Sequence, residues 1–196
     1  SAATTMTIQP REMRRHTDIL MTVAFSPCGN FGYSGGLDNR LVMWDMRTGD
    51  VLSERTDVHV EMVHCIAVAA SGAFVVTCGG SDKRVMVWHA KTLAPMQTLE
   101  GHEAGVASVA VHPDSTMIVS GGDGVVKVWE VQGEGGRWTV KRTIKDHTDG
   151  VPAVAFSPDG KMLATGSFDT TIKVYSVTND FSLMHTLEGH TGFVYS

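Results

Sequence analysis

Short apolar runs alternate with turn-forming clusters along the whole chain, and no segment carries its apolar residues at helical spacing. The clearest stretch is VPAVAFS at 151–157, where small and large apolar residues alternate before the turn signal Pro158-Asp159-Gly160. MLATG at 162–166 follows, then a tight turn at Phe168-Asp169-Thr170. TIKVYSV at 171–177 then places Ile172, Val174 and Ser176 on one face and Lys173, Tyr175 and Val177 on the other, and SLMHTL at 182–187 makes a fourth run. The pattern predicts four short strands joined by turns in one antiparallel meander. The same order recurs upstream: LMTVAFSPCGN, GYSGGLDN and RLVMWD; then HCIAVAASGA, VVTCGGSD and RVMVWH; then VASVAVHPDS, IVSGGDG and VKVWEV.

The recurrence has a period. An Asp stands six residues before the aromatic that ends each third run, in Asp38 and Trp44, Asp82 and Trp88, Asp123 and Trp129, and Asp169 and Tyr175. A His precedes each pair, and His16, His59, His102, His147 and His190 are separated by 43, 43, 45 and 43 residues. One unit is therefore written four times and a fifth is begun, with expected boundaries at 16–58, 59–101, 102–146, 147–189 and 190–196. Residues 1–15 read as the outer strand of a preceding or closing unit. The insertion QGEGG at 132–136 falls between third and fourth strands and accounts for the longer spacing.

Composition adds limits rather than direction. At 196 residues and 42% hydrophobic content the chain is globular, but units that bury their faces against neighbours make repeats the useful count. A net charge of −5, from 16 basic and 21 acidic side chains, gives no footprint for nucleic acid or an anionic membrane. Arg11, Arg14 and Arg15 read as a solvated edge. Cys28, Cys65 and Cys78 are odd in number, and two lie in apolar runs, which points to a reducing, cytoplasmic or otherwise intracellular setting. No secretory leader pattern, membrane-length apolar stretch or Asn-x-Ser/Thr site is present in these residues.

These residues resemble the WD-repeat family, on Gly101-His102, Gly189-His190, Ser157-Pro158-Asp159-Gly160 and Trp44-Asp45, with departures at Arg15, Val58 and Asp146 before His and at Trp88-His89, Trp129-Glu130 and Tyr175-Ser176. The resemblance implies an all-β propeller of four-stranded antiparallel blades, about four and a half of them here, within a ring of seven. It also implies a polar relay in each blade, from the turn Asp to the His, to a Ser or Thr, to the Trp ring nitrogen. A His and an Asp buried between blades need such partners, since an unpaired buried polar group is costly. On this reading His16, Ser34, Asp38 and Trp44 fill all four places, as do His102, Ser120, Asp123 and Trp129. His59, Asp82 and Trp88 align with Cys78 at the hydroxyl place, and His147, Thr165 and Asp169 end at Tyr175.

Gly32-Tyr33-Ser34-Gly35-Gly36 satisfies G-x-S-x-G, and Ser34 with His16 and Asp38 has the residue types of a hydrolase triad. A nucleophile elbow joins a strand to a helix, whereas this Ser lies within a meander. Equivalent sets also recur in the other units, so the expectation is a non-enzymatic chain without metal or other cofactor. His59 and His64 are too loosely spaced to suggest a metal site.

In this family the loops from fourth to first strands and the second-to-third turns share the usual binding end of the ring. Counting three and five residues from each repeat His, and one before each turn Asp, gives the candidate contact residues Ile19, Met21, Leu37, Met62, His64, Phe168, Phe193 and Tyr195. Gly105, Ala107 and Gly122 leave a gap at the third blade. Met21-Thr22 and Gly35-Gly36-Leu37-Asp38-Asn39 also resemble one blade of the heterotrimeric G-protein β subunit. The expected function is a scaffold binding other proteins or peptides; the alternative is an accessory propeller of a larger enzyme or a fibrous or cytoskeletal assembly. Four blades do not close such a ring, so a longer chain, a second chain supplying the missing blades by association, or an unusually small propeller would complete it.

Overall fold

The computed structural model describes residues 12–132 and 136–196, and among them sixteen strands form four antiparallel sheets. The first contains β1 (Leu20–Phe25), β2 (Phe31–Gly36), β3 (Leu41–Asp45) and β4 (Val51–Arg55). The second contains β5 (Cys65–Val68), β6 (Phe74–Cys78), β7 (Val85–His89) and β8 (Pro95–Leu99). The third contains β9 (Val106–Val111), β10 (Met117–Gly122), β11 (Val126–Gln132) and β12 (Arg137–Ile144), and the fourth β13 (Ala153–Phe156), β14 (Met162–Gly166), β15 (Ile172–Ser176) and β16 (Ser182–Leu187). Each sheet is a meander in sequence order.

Local chemistry fixes the first hairpin of each sheet. Gly29, Gly72 and Gly160 take φ of +72°, +68° and +71°, and the third sheet places Ser115 at +65° in the same role. Each of these residues donates its N–H three residues back, to Ser26, Ala69, His112 or Ser157. A bulge lies immediately before the closing aromatic, between Met43 and Trp44, Val87 and Trp88, Val128 and Trp129, and Val174 and Tyr175. It bends the third strand and aims that ring out of its own sheet.

The rings point at the preceding sheet. Trp88 packs with Tyr33, Leu41 and Met43 of the first sheet, Trp129 with Val76, Val85 and Val87 of the second, and Tyr175 with Val119, Val126 and Val128 of the third. The core is therefore three inter-sheet layers in series. First strands sit side by side, β1 against β5, β5 against β9 and β9 against β13. At each junction a backbone N–H just ahead of or at the next first strand donates to a carbonyl at the end of the second strand of the sheet before it or one residue beyond: Val63 to Gly36 O, Val106 to Gly79 O and Val151 to Gly122 O. Val194 makes the equivalent bond to Ser167 O, although residues 190–196 carry no strand where the sequence reading began a fifth first strand.

Of the expected outer strand at 1–15, residues 1–11 lie outside the described residues, and 12–15 carry no strand. The QGEGG insertion does join third to fourth strands, β11 to β12, with 133–135 outside the described residues. On the Trp44 side of the first sheet Leu20, Val23 and Phe25 are exposed around a cavity of about 660 Å³.

Close approach at the junctions demands glycine. A Cβ on Gly105 would lie 2.1 Å from Gly80 O, which is backbone and cannot turn aside. Gly105→Ala is expected to lower unfolding free energy in urea by about 2 kcal/mol or more, whereas Gly192→Ala, with open space around it, should shift it by less than about 0.5 kcal/mol.

Candidate functional site

A buried hydrogen-bond chain ties each strand-to-strand connection to its sheet. In the first sheet the Trp44 Nε1–H donates to Ser34 Oγ at 2.7 Å, Ser34 donates to His16 Nε2 at 2.7 Å, and His16 Nδ1–H donates to Asp38 at 2.9 Å. Asp38 also accepts from the Thr17 and Arg40 N–H groups. Burial alone would raise the Asp38 carboxyl, but the bonds from His16 and these N–H groups outweigh it and hold it below the ordinary value. Ser34 lies within β2, buried, with its oxygen spoken for by Trp44, so the triad-like set is a structural chain.

The second sheet corrects the sequence alignment. Thr77, not Cys78, occupies the hydroxyl place: it accepts from Trp88 Nε1–H at 2.9 Å and meets His59 Nε2 at 2.9 Å, while His59 Nδ1–H donates to Asp82 at 2.7 Å. Neighbours on a strand face opposite ways, so Cys78 turns instead into the layer shared with the third sheet. The missed signal is a spacing. His and hydroxyl are 18 residues apart in all four sheets, whereas the turn from hydroxyl to Asp is four, five, three and four residues long.

The shortest of those turns breaks the third chain. His102 meets Ser120 at 2.7 Å and Ser120 accepts from Trp129 Nε1–H at 2.8 Å, but Asp123 makes no hydrogen bond to His102 and is exposed. Expecting four filled places there was wrong at Asp123. Without a carboxylate partner, burial pushes the His102 imidazolium down to about 4, with Lys127 adding to the effect. In the fourth sheet His147 joins Thr165 at 2.7 Å and Asp169 at 2.8 Å, but the buried Tyr175 hydroxyl has no hydrogen-bond partner. Burial and the nearby Asp146 carboxylate raise that phenol. Burial would also raise Asp169, yet bonds from Thr171 and His147 hold it far below the ordinary carboxylate range.

The chains anchor one end of the molecule, where the candidate contact residues lie. The Leu37 N–H donates to Ile19 O at 2.9 Å and the Phe168 N–H to Gly150 O at 2.9 Å, so turn and loop are pinned within the first and fourth sheets. Phe168, Phe193 and Tyr195 are brought together, with ring centroids 4.8 Å apart for Phe168 and Phe193 and 5.1 Å for Phe168 and Tyr195. Phe193 and Tyr195 are 61% and 65% exposed. Met21, His64 and Tyr195 border an axial cavity of about 520 Å³ lined by first strands of the sheets. His64 Nδ1 is buried there without a partner. Ile19 is exposed, Leu37 and Met62 are half-buried, and these three border neither this cavity nor the aromatic trio. The loops also expose carboxylates, among them Asp18, Glu61, Glu103 and Asp149, which the sequence reading passed over. Among the described residues no three His, Cys, Asp or Glu side chains converge as metal ligands, and no helix is long and apolar enough to cross a membrane.

Four-stranded meanders packed face to face around an axis, each with a buried His–hydroxyl bond at the same place and three of them with a Trp donating to that hydroxyl, define a β-propeller domain. The WD domain, G-beta repeat model matches residues 8–45, 52–89, 93–130 and 138–176, and the chain belongs to that family. Human WD repeat and SOCS box-containing protein 1 is 36% identical over 99 residues, 49% of this chain and 23% of that protein. Its Danio rerio counterpart is 33% identical over 149 residues, 62% of this chain and 35% of that protein. Pre-rRNA-processing protein IPI3 of Mycosarcoma maydis is 28% identical over 136 residues, 58% of this chain and 23% of that protein. The chain thus spans about a quarter to a third of the length of these relatives. The solved structures of U3-55K and of the RRP9 WD40 repeats each superpose with a TM-score of 0.82 at 22% identity, covering 94% of this chain and 56% and 55% of theirs.

Two outcomes follow from the hydrogen-bond chains. Thr77→Val strands both His59 Nε2 and the Trp88 N–H and is expected to cost about 3 kcal/mol in denaturant unfolding, while Thr77→Ser should cost less than about 1 kcal/mol. An unfolded His titrates near 6.5 and folded His102 near 4, so the unfolded chain takes the proton first as pH falls. That stability is complete above pH 6.5 and is lost progressively toward pH 4. Unfolding free energy should therefore drop between pH 7 and pH 5, by about 2 kcal/mol from His102. The drop should be shallower in His102→Asn, with the buried His59, also lowered by burial, contributing in the same direction.

Proposed function

We propose that this chain is a non-enzymatic scaffold that captures protein segments on the end of the propeller carrying Ile19, Met21, Leu37, Met62, His64, Phe168, Phe193 and Tyr195. Members of the family are generally protein-interaction scaffolds. The observation that carries the reading here is the aromatic trio Phe168, Phe193 and Tyr195: the Phe193 and Tyr195 rings stand largely in solvent, and Tyr195 borders the axial cavity. Clustered exposed aromatics beside a pocket are the usual anchors of an interface. The exposed carboxylates Asp18, Glu61, Glu103 and Asp149 favour segments with basic flanks, because opposite charges speed encounter and exclude acidic competitors.

The test compares affinity captures by the full chain and its variants, quantified by mass spectrometry. Leu37→Glu, Met62→Glu and Phe168→Glu should each reduce recovery of specific partners about tenfold or more, with melting temperatures within a few degrees of the parent. Met96→Glu, on the exposed outer strand β8, should leave recovery unchanged. Equal recovery from the parent and from the Phe168 variant would overturn the assignment of this face. The alternative, an accessory domain of a larger assembly, draws support from relatives several times longer than the matched region.

A further inference from the structure

Cys65 and Cys78 are register partners in the antiparallel pair of β5 and β6. Side chains opposite one another in such a pair share a face, and their Cα atoms lie about 4.5–5.5 Å apart, within the span a disulfide bridges. Both thiols border the same apolar layer between the second and third sheets, Cys78 wholly buried and Cys65 partly so. Neither is in a disulfide. With Thr77 holding the relay, Cys78 has no part in the hydrogen-bond chain, and neither thiol belongs to the proposed contact face.

The two are chemically unequal. A hydrogen bond with Cys78 draws the Cys65 thiol down to about 7 against the opposing effect of burial, while burial pushes Cys78 up. Cys65 also borders the axial cavity of about 520 Å³, which gives a small reagent a route to its sulfur. Cys28 is exposed and lies on the first sheet's hairpin, outside this layer.

We propose that Cys65 and Cys78 form a thiol–disulfide exchange site for low-molecular-weight disulfides such as glutathione disulfide, with Cys65 as attacking thiolate and Cys78 as resolving thiol. The Cys65 thiolate attacks one glutathione sulfur, forms a mixed disulfide and expels the other glutathione as thiolate. Cys78 then gives its proton to the expelled thiolate or to water and attacks Cys65 Sγ, releasing the second glutathione. The protein's two thiols are oxidised to one disulfide and glutathione disulfide is reduced to two thiols. Forming the bond removes the Cys65 thiol that now points at Val109 O of the third sheet, 3.8 Å away, so the exchange alters an inter-sheet contact.

The experiment incubates the full chain with excess glutathione disulfide, quenches it in acid, unfolds and alkylates it, and digests it with trypsin. Both cysteines fall in the single tryptic peptide 56–83, and Cys28 falls in another. The expected product is peptide 56–83 lighter by two hydrogen atoms, refractory to alkylation and restored by reductant, with Cys28 carrying at most a glutathione adduct. Cys78→Ala should halt the reaction at a glutathione adduct on Cys65, and Cys65→Ser should leave Cys78 a free thiol. Should Cys78→Ala fail to fold, the wild-type time course decides: a Cys65 adduct must rise before the internal disulfide and decay into it. Recovery of peptide 56–83 with both thiols alkylated, or with a glutathione adduct that never resolves in the folded wild type, overturns the proposal.

Discussion

The hydroxyl held between an indole N–H and an imidazole nitrogen is the interaction on which the rest of the fold hangs. Ser34, Thr77 and Ser120 each accept from a Trp and meet a His eighteen residues earlier. One oxygen thereby fixes the closing aromatic of the third strand, the loop entering the sheet and the second strand at once. The aromatic so placed covers the preceding sheet, and the loop so placed brings the next first strand within reach of its neighbour's carbonyl. Burying three polar groups in an apolar layer is tolerable only because each satisfies another.

Much of this is legible in the amino-acid sequence. Turn signals and alternation locate the strands because Gly29, Gly72 and Gly160 must adopt a left-handed backbone that few other residues take. The apolar pattern overruns the strand ends by a residue or two, as at 151–157 against Ala153–Phe156, since apolar residues continue past the last ladder bond. The relay was misread at Cys78 because counting back from Asp82 assumes a constant turn, and that turn is the part that varies. Counting forward from His59 reaches Thr77. Asp123 shows the other side of the same variation, since a turn one residue shorter than in the first sheet leaves the carboxylate outside. At the contact end, the sequence places residues around a ring by number but cannot say which rings touch; the gathering of Phe168, Phe193 and Tyr195 depends on where the chain turns after His190.

The family's repeated unit and the particular chain thus separate cleanly. The indole, hydroxyl and imidazole are shared by three sheets and carry the packing, while turn length, the cysteines and the aromatic cluster differ from sheet to sheet and give this chain its chemistry. A scaffold needs such a division, because its recognition surface must change without disturbing the layers beneath it.

The inter-sheet bonds from Val63, Val106, Val151 and Val194 have a mechanical corollary. They lie along the innermost strands, whereas the outer rim is joined by different and more varied ties: Arg55 to Leu93 O, Gln97 to the Trp138 backbone, and Arg142 to Asp180. Force applied at the rim would therefore spread the sheets like the leaves of a bound book, with the axial bonds as the spine. The stiffness of each opening is set by its own rim contact, and between the second and third sheets that contact is a two-point clasp: the Gln97 carboxamide donates to Trp138 O and accepts from the Trp138 N–H.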